Sequence, residues 1–161
     1  MSGTTFDDDN RRFDAPPIPV SPEFEADVQC AVTNSSPVLI TAPPDLAAAV
    51  ARRIHGSGLN RRSPFLTLDC SRAQQAEQLE MVFEIAAPKG TVFLRDVDRL
   101  APPLQALLNT RMAAHGVRVI AATSVSLLRA AALGTFDERL FYRLNQIHLI
   151  APQPGKTTGT A

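Results

Sequence analysis

The sequence contains the stretch Val117-Arg118-Val119-Ile120-Ala121-Ala122, in which apolar residues follow one another almost without interruption. Short continuous apolar runs are typical of strands covered on both faces of a sheet, whereas half-exposed strands alternate apolar and polar residues. Four further runs share this pattern, namely Val38-Leu39-Ile40-Thr41, Phe65-Leu66-Thr67-Leu68, Thr91-Val92-Phe93-Leu94 and Ile147-His148-Leu149-Ile150. Each of these runs is predicted to form one buried strand.

Amphipathic, helix-like stretches separate the runs, at about 23–34, 45–56, 72–86, 101–114 and 125–144. Alternation of strands and helices predicts right-handed crossovers and a parallel sheet with helices on both faces. We therefore predict an α/β protein, a three-layer αβα sandwich around a five-stranded parallel sheet. This core is expected over 22–152, after a flexible acidic and proline-rich leader at 1–21 and before a flexible tail at 153–161.

Composition excludes several classes of function. The chain has 161 residues, 45% of them hydrophobic, with 16 basic and 16 acidic side chains, and zero formal net charge argues against direct DNA binding. No apolar run approaches the roughly 18 residues of a membrane span, and the polar start does not resemble a secretory signal. Cys30 and Cys70 lack the spacing of a metal site or a disulfide framework. We expect a cytoplasmic protein without a metal site.

The turn after the first strand is the first place to look for a ligand, because ligands bind at the carboxyl ends of parallel strands. It reads Ala42-Pro43-Pro44-Asp45-Leu46-Ala47. A phosphate-binding loop needs glycines, whose N–H groups converge on the phosphates, followed by a lysine and a hydroxyl side chain. The turn has none of these, and its two prolines lack N–H groups. We predict a rigid strand-to-helix turn.

Polar residues follow the third and fourth strands. Asp96 is a candidate Mg²⁺ ligand or base, although Arg95 before it would oppose a cation. Asp96 could equally pair with Arg95 or Arg99, or cap the next helix. After the fourth strand, the hydroxyls of Thr123 and Ser124 could touch a ligand or start a helix.

Two arginines near the C-terminal end of the predicted core share a helical face. Arg139 and Arg143 are one turn apart. They could reach a phosphate or carboxylate on a partner, or they could be solvated or bridged to Glu138.

In this order the elements resemble the AAA+ domain of sigma-54-dependent transcriptional activators, the bacterial enhancer-binding proteins. The resemblance covers about 22–152. It is carried by 136–145, which resembles F-R-x-D-L-Y-Y-R-L-N; by 117–124, which resembles V-R-I-I-A-A-T-N; by 90–97, which resembles G-T-L-F-L-D-E-I; and by 51–55 and 64–70, which resemble A-R-A-I-H and P-F-V-x-x-N-C.

The departures from the family pattern concern the ATPase site. The resemblance places the phosphate-binding lysine at Ala47, the Walker B pair at Arg95 and Asp96, and the sensor asparagine at Ser124. Of the two arginines that act across the subunit interface, one falls on Asp137 and the other is kept as Arg143. The stretch between Cys70 and Gly90 is too short for the family's G-A-F-T-G-A loop. The lid subdomain and a helix-turn-helix are also expected to be missing.

These observations predict a pseudo-ATPase, a non-catalytic AAA+-like regulatory protein that acts through protein–protein contacts in transcription regulation. Its partner would be a full-length AAA+ activator or a second copy of itself. No cofactor is expected, although ATP and Mg²⁺ are the ligands that the resemblance implies. The alternative is a weak nucleotide-binding ATPase with a rearranged site that uses Arg95 and Asp96. A third interpretation, a phosphorylatable receiver domain, is disfavoured. It would need an acidic pair after the first strand, where Ala42, Pro43 and Pro44 stand.

Overall fold

A computed structural model describes residues 21–114 and 116–151. Its five strands are β1 (Val38–Thr41), β2 (Phe65–Asp69), β3 (Thr91–Arg95), β4 (Arg118–Thr123) and β5 (Ile147–Ile150). They form one sheet in the order β2-β3-β4-β1-β5, and every neighbouring pair is parallel. The predicted five-stranded parallel sheet is confirmed. All of the predicted leader except Ser21, and the whole of the predicted tail, lie outside the described residues.

The helices are α1 (Pro22–Val32), α2 (Pro44–Gly56), α3 (Ala76–Ala86), α4 (Pro102–Ala113), α5 (Leu127–Ala132) and α6 (Glu138–Leu144), with a 3₁₀ turn at Val97–Arg99. The stretch predicted as one helix over 125–144 is two helices. The chain turns at Gly134, whose φ of 83° lies in the left-handed region, and such a residue commonly ends a helix. Asp137 then caps the start of α6, because its side chain accepts a hydrogen bond from the Leu140 N–H at 3.0 Å.

Side chains from successive strand residues point to opposite faces of the sheet and build two cores. On one face, Val38, Ile40 and Ile120 pack against α1 and α2. On the other, Leu39 and Val119 pack against α3 to α6. The continuous apolar strand sequences are explained by this arrangement, since both faces of the sheet are covered.

The strand order determines where the connections meet. From β1 the chain crosses to the edge strand β2, returns through β3 and β4, and then passes β1 to reach β5 on the other side. Such a reversal in strand order opens a crevice at the carboxyl ends of the strands. We call this end of the sheet the carboxyl edge and the opposite end the amino edge. The turn after β1 lies at the carboxyl edge.

Gly90, directly before β3, lies very close to two backbone carbonyls. A Cβ on Gly90 would lie 2.6 Å from the carbonyl oxygens of both Ala86 and Pro64. Because both atoms belong to the backbone, neither can rotate away, and we expect Gly90→Ala to lower the free energy of unfolding by about 1–3 kcal/mol. Urea unfolding followed by circular dichroism measures the loss. Gly56→Ala is the matched control, since nothing lies within 4 Å of its Cβ; an equal loss in both variants contradicts the clash.

Candidate functional site

The turn after β1 is made rigid by its prolines. Helix α2 begins at Pro44, with Pro43 as the N-cap residue, and proline suits the first helical position because its N–H would be unpaired there. Ala42 and Ala47 are buried, whereas Pro43 and Asp45 are exposed. Pro43 makes no side-chain capping bond. The start of α2 is therefore fixed by the restricted backbone angles of two consecutive prolines and not by a side-chain hydrogen bond.

A small depression lies beside this turn, at the carboxyl edge. It is lined by Ala42, Pro44, Ala47, Phe93, Arg95, Asp96, Ala122, Thr123 and Ser124. The structure thus brings together seven of the positions singled out in the sequence, while Pro43 and Asp45 do not line the depression. Its free volume is about 10 Å³, which is no more than one water molecule occupies.

The two charged groups in the depression, Arg95 and Asp96, make no ion pair with another described residue. Arg95 lies opposite Asp69 in the sheet register. The Ser71 hydroxyl, which donates to Asp69 at 2.7 Å, lowers the pKa of Asp69, with Arg95 and Arg72 contributing.

Asp96 has left-handed backbone angles, φ 53° and ψ 50°. Its side chain does not cap the following 3₁₀ turn, so the pairing and capping expected as alternatives for Asp96 are both wrong.

Thr123 has a structural bond that the sequence did not indicate. Its hydroxyl donates to Asp98 at 2.8 Å and accepts from the Val125 N–H at 3.2 Å. Neither Thr123 nor Ser124 starts α5; Ser126 is the N-cap, and its side chain accepts from the Arg129 N–H. Ser124 is exposed at the rim of the depression.

Cys70 follows β2 close to the acidic residues of this edge. It is 1% exposed, and burial raises the pKa of its thiol to about 12, with smaller contributions from Asp69, Asp96 and Asp98. A thiol with such a pKa stays protonated at neutral pH and is not a nucleophile. Cys70 is thus packed in the core at this position.

The predicted arginine pair lies on α6. Arg139 and Arg143 are both exposed, and neither forms an ion pair within the described part of the chain, so the expected bridge to Glu138 is not formed. Asp137 caps the helix on which they stand. Tyr142, between them in sequence, is 58% exposed. Helix α6 thus presents two unpaired cations and an aromatic ring to solvent.

Gln105, a buried amide that bonds to the turn before α6, was not among the residues predicted from the sequence. Its Nε2 donates to the carbonyls of Leu100 at 2.8 Å and Thr135 at 3.4 Å, and its Oε1 accepts from the Asp137 N–H at 2.7 Å. The signal was available. Gln105 follows Leu104 on the stripe of α4 that also buries Leu108, and a polar residue on a buried stripe needs hydrogen-bond partners.

The described residues form neither a cluster of metal-ligating side chains nor a membrane-spanning helix. Within 21–114 and 116–151, no group of three histidine, cysteine, aspartate or glutamate side chains is arranged to hold a metal ion. No described helix has the length and apolar character needed to cross a membrane.

The strand order and the position of the crevice define the class of protein, a P-loop NTPase-like α/β domain of the AAA+ type. Residues 19–153 match the sequence model of the Sigma-54 interaction domain. The chain belongs to this family, and it is related to the sigma-54-dependent transcription activators. The resemblance predicted from the strand and helix motifs is confirmed.

Individual relatives support this assignment. The regulatory protein AtoC of Escherichia coli (strain K12) is 30% identical over 133 residues, which is 64% of this chain and 29% of AtoC. The sigma54-dependent transcriptional activator SfnR of Pseudomonas putida is 28% identical over 161 residues, covering 79% of this chain and 44% of SfnR. The chain spans less than half the length of these two relatives.

Solved structures show the same fold. NtrX from Brucella abortus superposes with a TM-score of 0.76 at 20% identity, covering 94% of this chain and 41% of NtrX. The P-loop NTPase domain of the sigma-54 transport activator from E. coli superposes with a TM-score of 0.67 at 20% identity. This superposition covers 82% of this chain and 94% of the E. coli domain.

Proposed function

We propose that this chain is a non-catalytic member of the Sigma-54 interaction family, a pseudo-ATPase that regulates transcription through protein–protein contacts. The observation that carries the proposal is the closed carboxyl edge of β1. The depression beside Pro44 and Ala47 has a free volume of about 10 Å³, whereas ligand pockets are typically about 300–1,000 Å³. A nucleoside triphosphate would require the turn to move.

The side chains at this edge also argue against catalysis. Ala47 stands where the resemblance places the phosphate-binding lysine, and Arg95 stands where it places the metal-binding aspartate. One preorganised catalytic contact is worth about 2.7–4 kcal/mol of barrier lowering. Such effects are not additive within one site, but changing the lysine, the metal ligand and the sensor together removes the main sources of transition-state stabilisation.

Helix α6 supports the protein-contact part of the proposal. Arg139 and Arg143 are exposed and without ion-pair partners among the described residues, and arginines next to an exposed aromatic ring are frequent in protein interfaces. We propose that α6 contacts a full-length AAA+ activator or a second copy of this chain. DNA binding is not part of the proposed function.

Nucleotide binding tests the first part. We expect calorimetric titration with ATP and Mg²⁺ to give no binding tighter than about 100 μM, which corresponds to about 5–6 kcal/mol, and no phosphate release. Binding below that concentration, with hydrolysis that is lost in Asp96→Asn, would instead support the weak ATPase with a rearranged site. Arg99→Gln is the control for charge, because Arg99 is exposed and lies outside the depression.

Mixing experiments test the second part. The chain is added to a full-length sigma-54-dependent activator, and the ATPase rate and assembly size of the activator are measured. We expect the chain to change both quantities, and Arg143→Ala to reduce the effect more than Arg129→Ala, which removes an exposed arginine from α5 instead. The protein-contact proposal is wrong if two results are found together. The added chain changes neither the ATPase rate nor the assembly size of the activator, and the assembly size of the chain alone does not change with its own concentration.

A further inference from the structure

A second and much larger cavity lies at the amino edge, where β3 and β4 begin. Its volume is about 330 Å³, and it is lined by Val32, Thr33, Asn34, Ser35, Ile54, His55, Gly58, Leu59, Asn60, Thr91, Gly116, Val117 and Arg118. This volume lies within the range of about 300–1,000 Å³ that is typical of small-molecule sites. The cavity is at the end of the sheet opposite the β1–α2 turn, and the proposed function does not use it.

Arg118 lines this cavity and has no acidic partner within the described part of the chain. Its Nε donates to the Ser36 carbonyl at 3.1 Å and its Nη2 to the Ala31 carbonyl at 2.7 Å. A guanidinium has five N–H donors, so about three are left. Burial lowers the pKa of Arg118, and no carboxylate among the described residues forms an ion pair with it.

His55, the other titratable lining residue, adds no charge at neutral pH. Its Nδ1 is 2.9 Å from the Thr91 hydroxyl and its Nε2 is 2.9 Å from the Ser63 carbonyl. Burial lowers the pKa of His55 below its usual 6.5, and the charge of Arg118 lowers it further. Arg118 is therefore the ionised side chain of the lining, and both nitrogens of the imidazole are already hydrogen-bonded.

The rest of the lining is partly apolar. Ile54 is fully buried in the wall, and Val32 and Val117 are half-buried beside it. Leu59 is 95% exposed. A wall of this kind favours a ligand with an apolar body, while an arginine with free donors favours a carboxylate, whose two oxygens match the guanidinium in a bidentate pair.

We propose that the amino-edge cavity is a binding site for a small organic carboxylate, with the carboxylate on the free N–H groups of Arg118 and the apolar body against Val32 and Val117. The proposal is independent of the fate of the nucleotide site. It gives the chain a means of responding to a metabolite at the junction of α1, α2 and β4.

Benzoate is a suitable probe, because it joins a carboxylate to an apolar ring, and benzamide is its neutral counterpart. We expect benzoate to bind saturably in calorimetry and to raise the melting temperature, since a ligand that binds the folded state stabilises it. Benzamide and inorganic phosphate are expected to bind at least about tenfold more weakly, because each lacks one of the two recognition elements.

Two pairs of variants identify the site. Arg118→Gln is expected to weaken benzoate binding at least about tenfold, whereas the control Arg99→Gln leaves it unchanged. Should Arg118→Gln not fold, Asn60→Asp answers the same question, because it adds a repelling carboxylate to the lining while Asn60→Ala does not. The proposal is overturned by the absence of saturable benzoate binding, by equal binding of benzamide or phosphate, or by unchanged binding in Asn60→Asp.

Discussion

Replacement of Phe93 by alanine is expected to lower the free energy of unfolding by about 3–5 kcal/mol, the usual cost of truncating a buried phenylalanine. Phe93 is 2% exposed in the middle of β3. Its ring stacks on Phe65 of β2, with 6.0 Å between centroids, and it packs in the core formed with α1 and α2. Truncation leaves a cavity that these helices can close only in part.

Urea unfolding monitored by circular dichroism measures this effect, with the slope of the transition checked for two-state behaviour. Phe93→Leu is the matched control, since it keeps most of the apolar volume and should cost less than about 1.5 kcal/mol. Phe93 also borders the depression at the carboxyl edge. A loss below about 1 kcal/mol in Phe93→Ala would mean that the core under the turn collapses around the missing ring.

Replacement of Gln105 by leucine is expected to cost about 2–4 kcal/mol. The buried bond to the Leu100 carbonyl and the part-buried bonds to the Thr135 carbonyl and the Asp137 N–H are lost at once, and a buried group left unpaired costs about 1–3 kcal/mol. Gln105 is 3% exposed. Its amide joins α4 to the turn before α6. The substitution should therefore loosen α6 as well as destabilise the whole domain.

Gln146→Leu is the control for this second substitution. Like Gln105, Gln146 donates from its side-chain amide to a backbone carbonyl, that of Tyr142 at 2.9 Å, but Gln146 is exposed. Its replacement should therefore lower the free energy of unfolding by no more than about 0.5 kcal/mol. Hydrogen exchange of the α6 amides distinguishes a positioning role from a purely global one. If α6 exchanges no faster relative to the other helices in Gln105→Leu, Gln105 does not position α6.

The two cavities lie at opposite ends of the same sheet. The carboxyl edge is closed by prolines and alanines, and its charges, Arg95 and Asp96, border a space for one water. The amino edge is open and presents a cation with free donors. The proposed protein contacts rest on α6. The proposed carboxylate site is a separate proposal and lies at the amino edge, opposite the end of the sheet where nucleotides bind in P-loop proteins.

Local sequence patterns were sufficient to predict where the strands lie and that they run parallel. The run at 117–122 and its four counterparts became β1 to β5 with end shifts of no more than about one residue, since a strand buried on both faces must be apolar at successive positions. The family resemblance assigned one degenerate nucleotide site to Ala42, Pro43, Pro44, Asp45, Ala47, Arg95, Asp96 and Ser124. All of these except Pro43 and Asp45 line the depression at the carboxyl edge.

Contacts between residues far apart in the chain were beyond the reach of such patterns. The Asp137 N–H at the start of α6 donates to Gln105, 32 positions earlier, and the bond from Thr123 to Asp98 spans 25 positions. The volume of each cavity depends on how whole helices and strands pack against one another, so it cannot be predicted from a short segment of the sequence. Periodicity reports which face of an element is buried, but the particular partners of a polar group are chosen only when the layers come together.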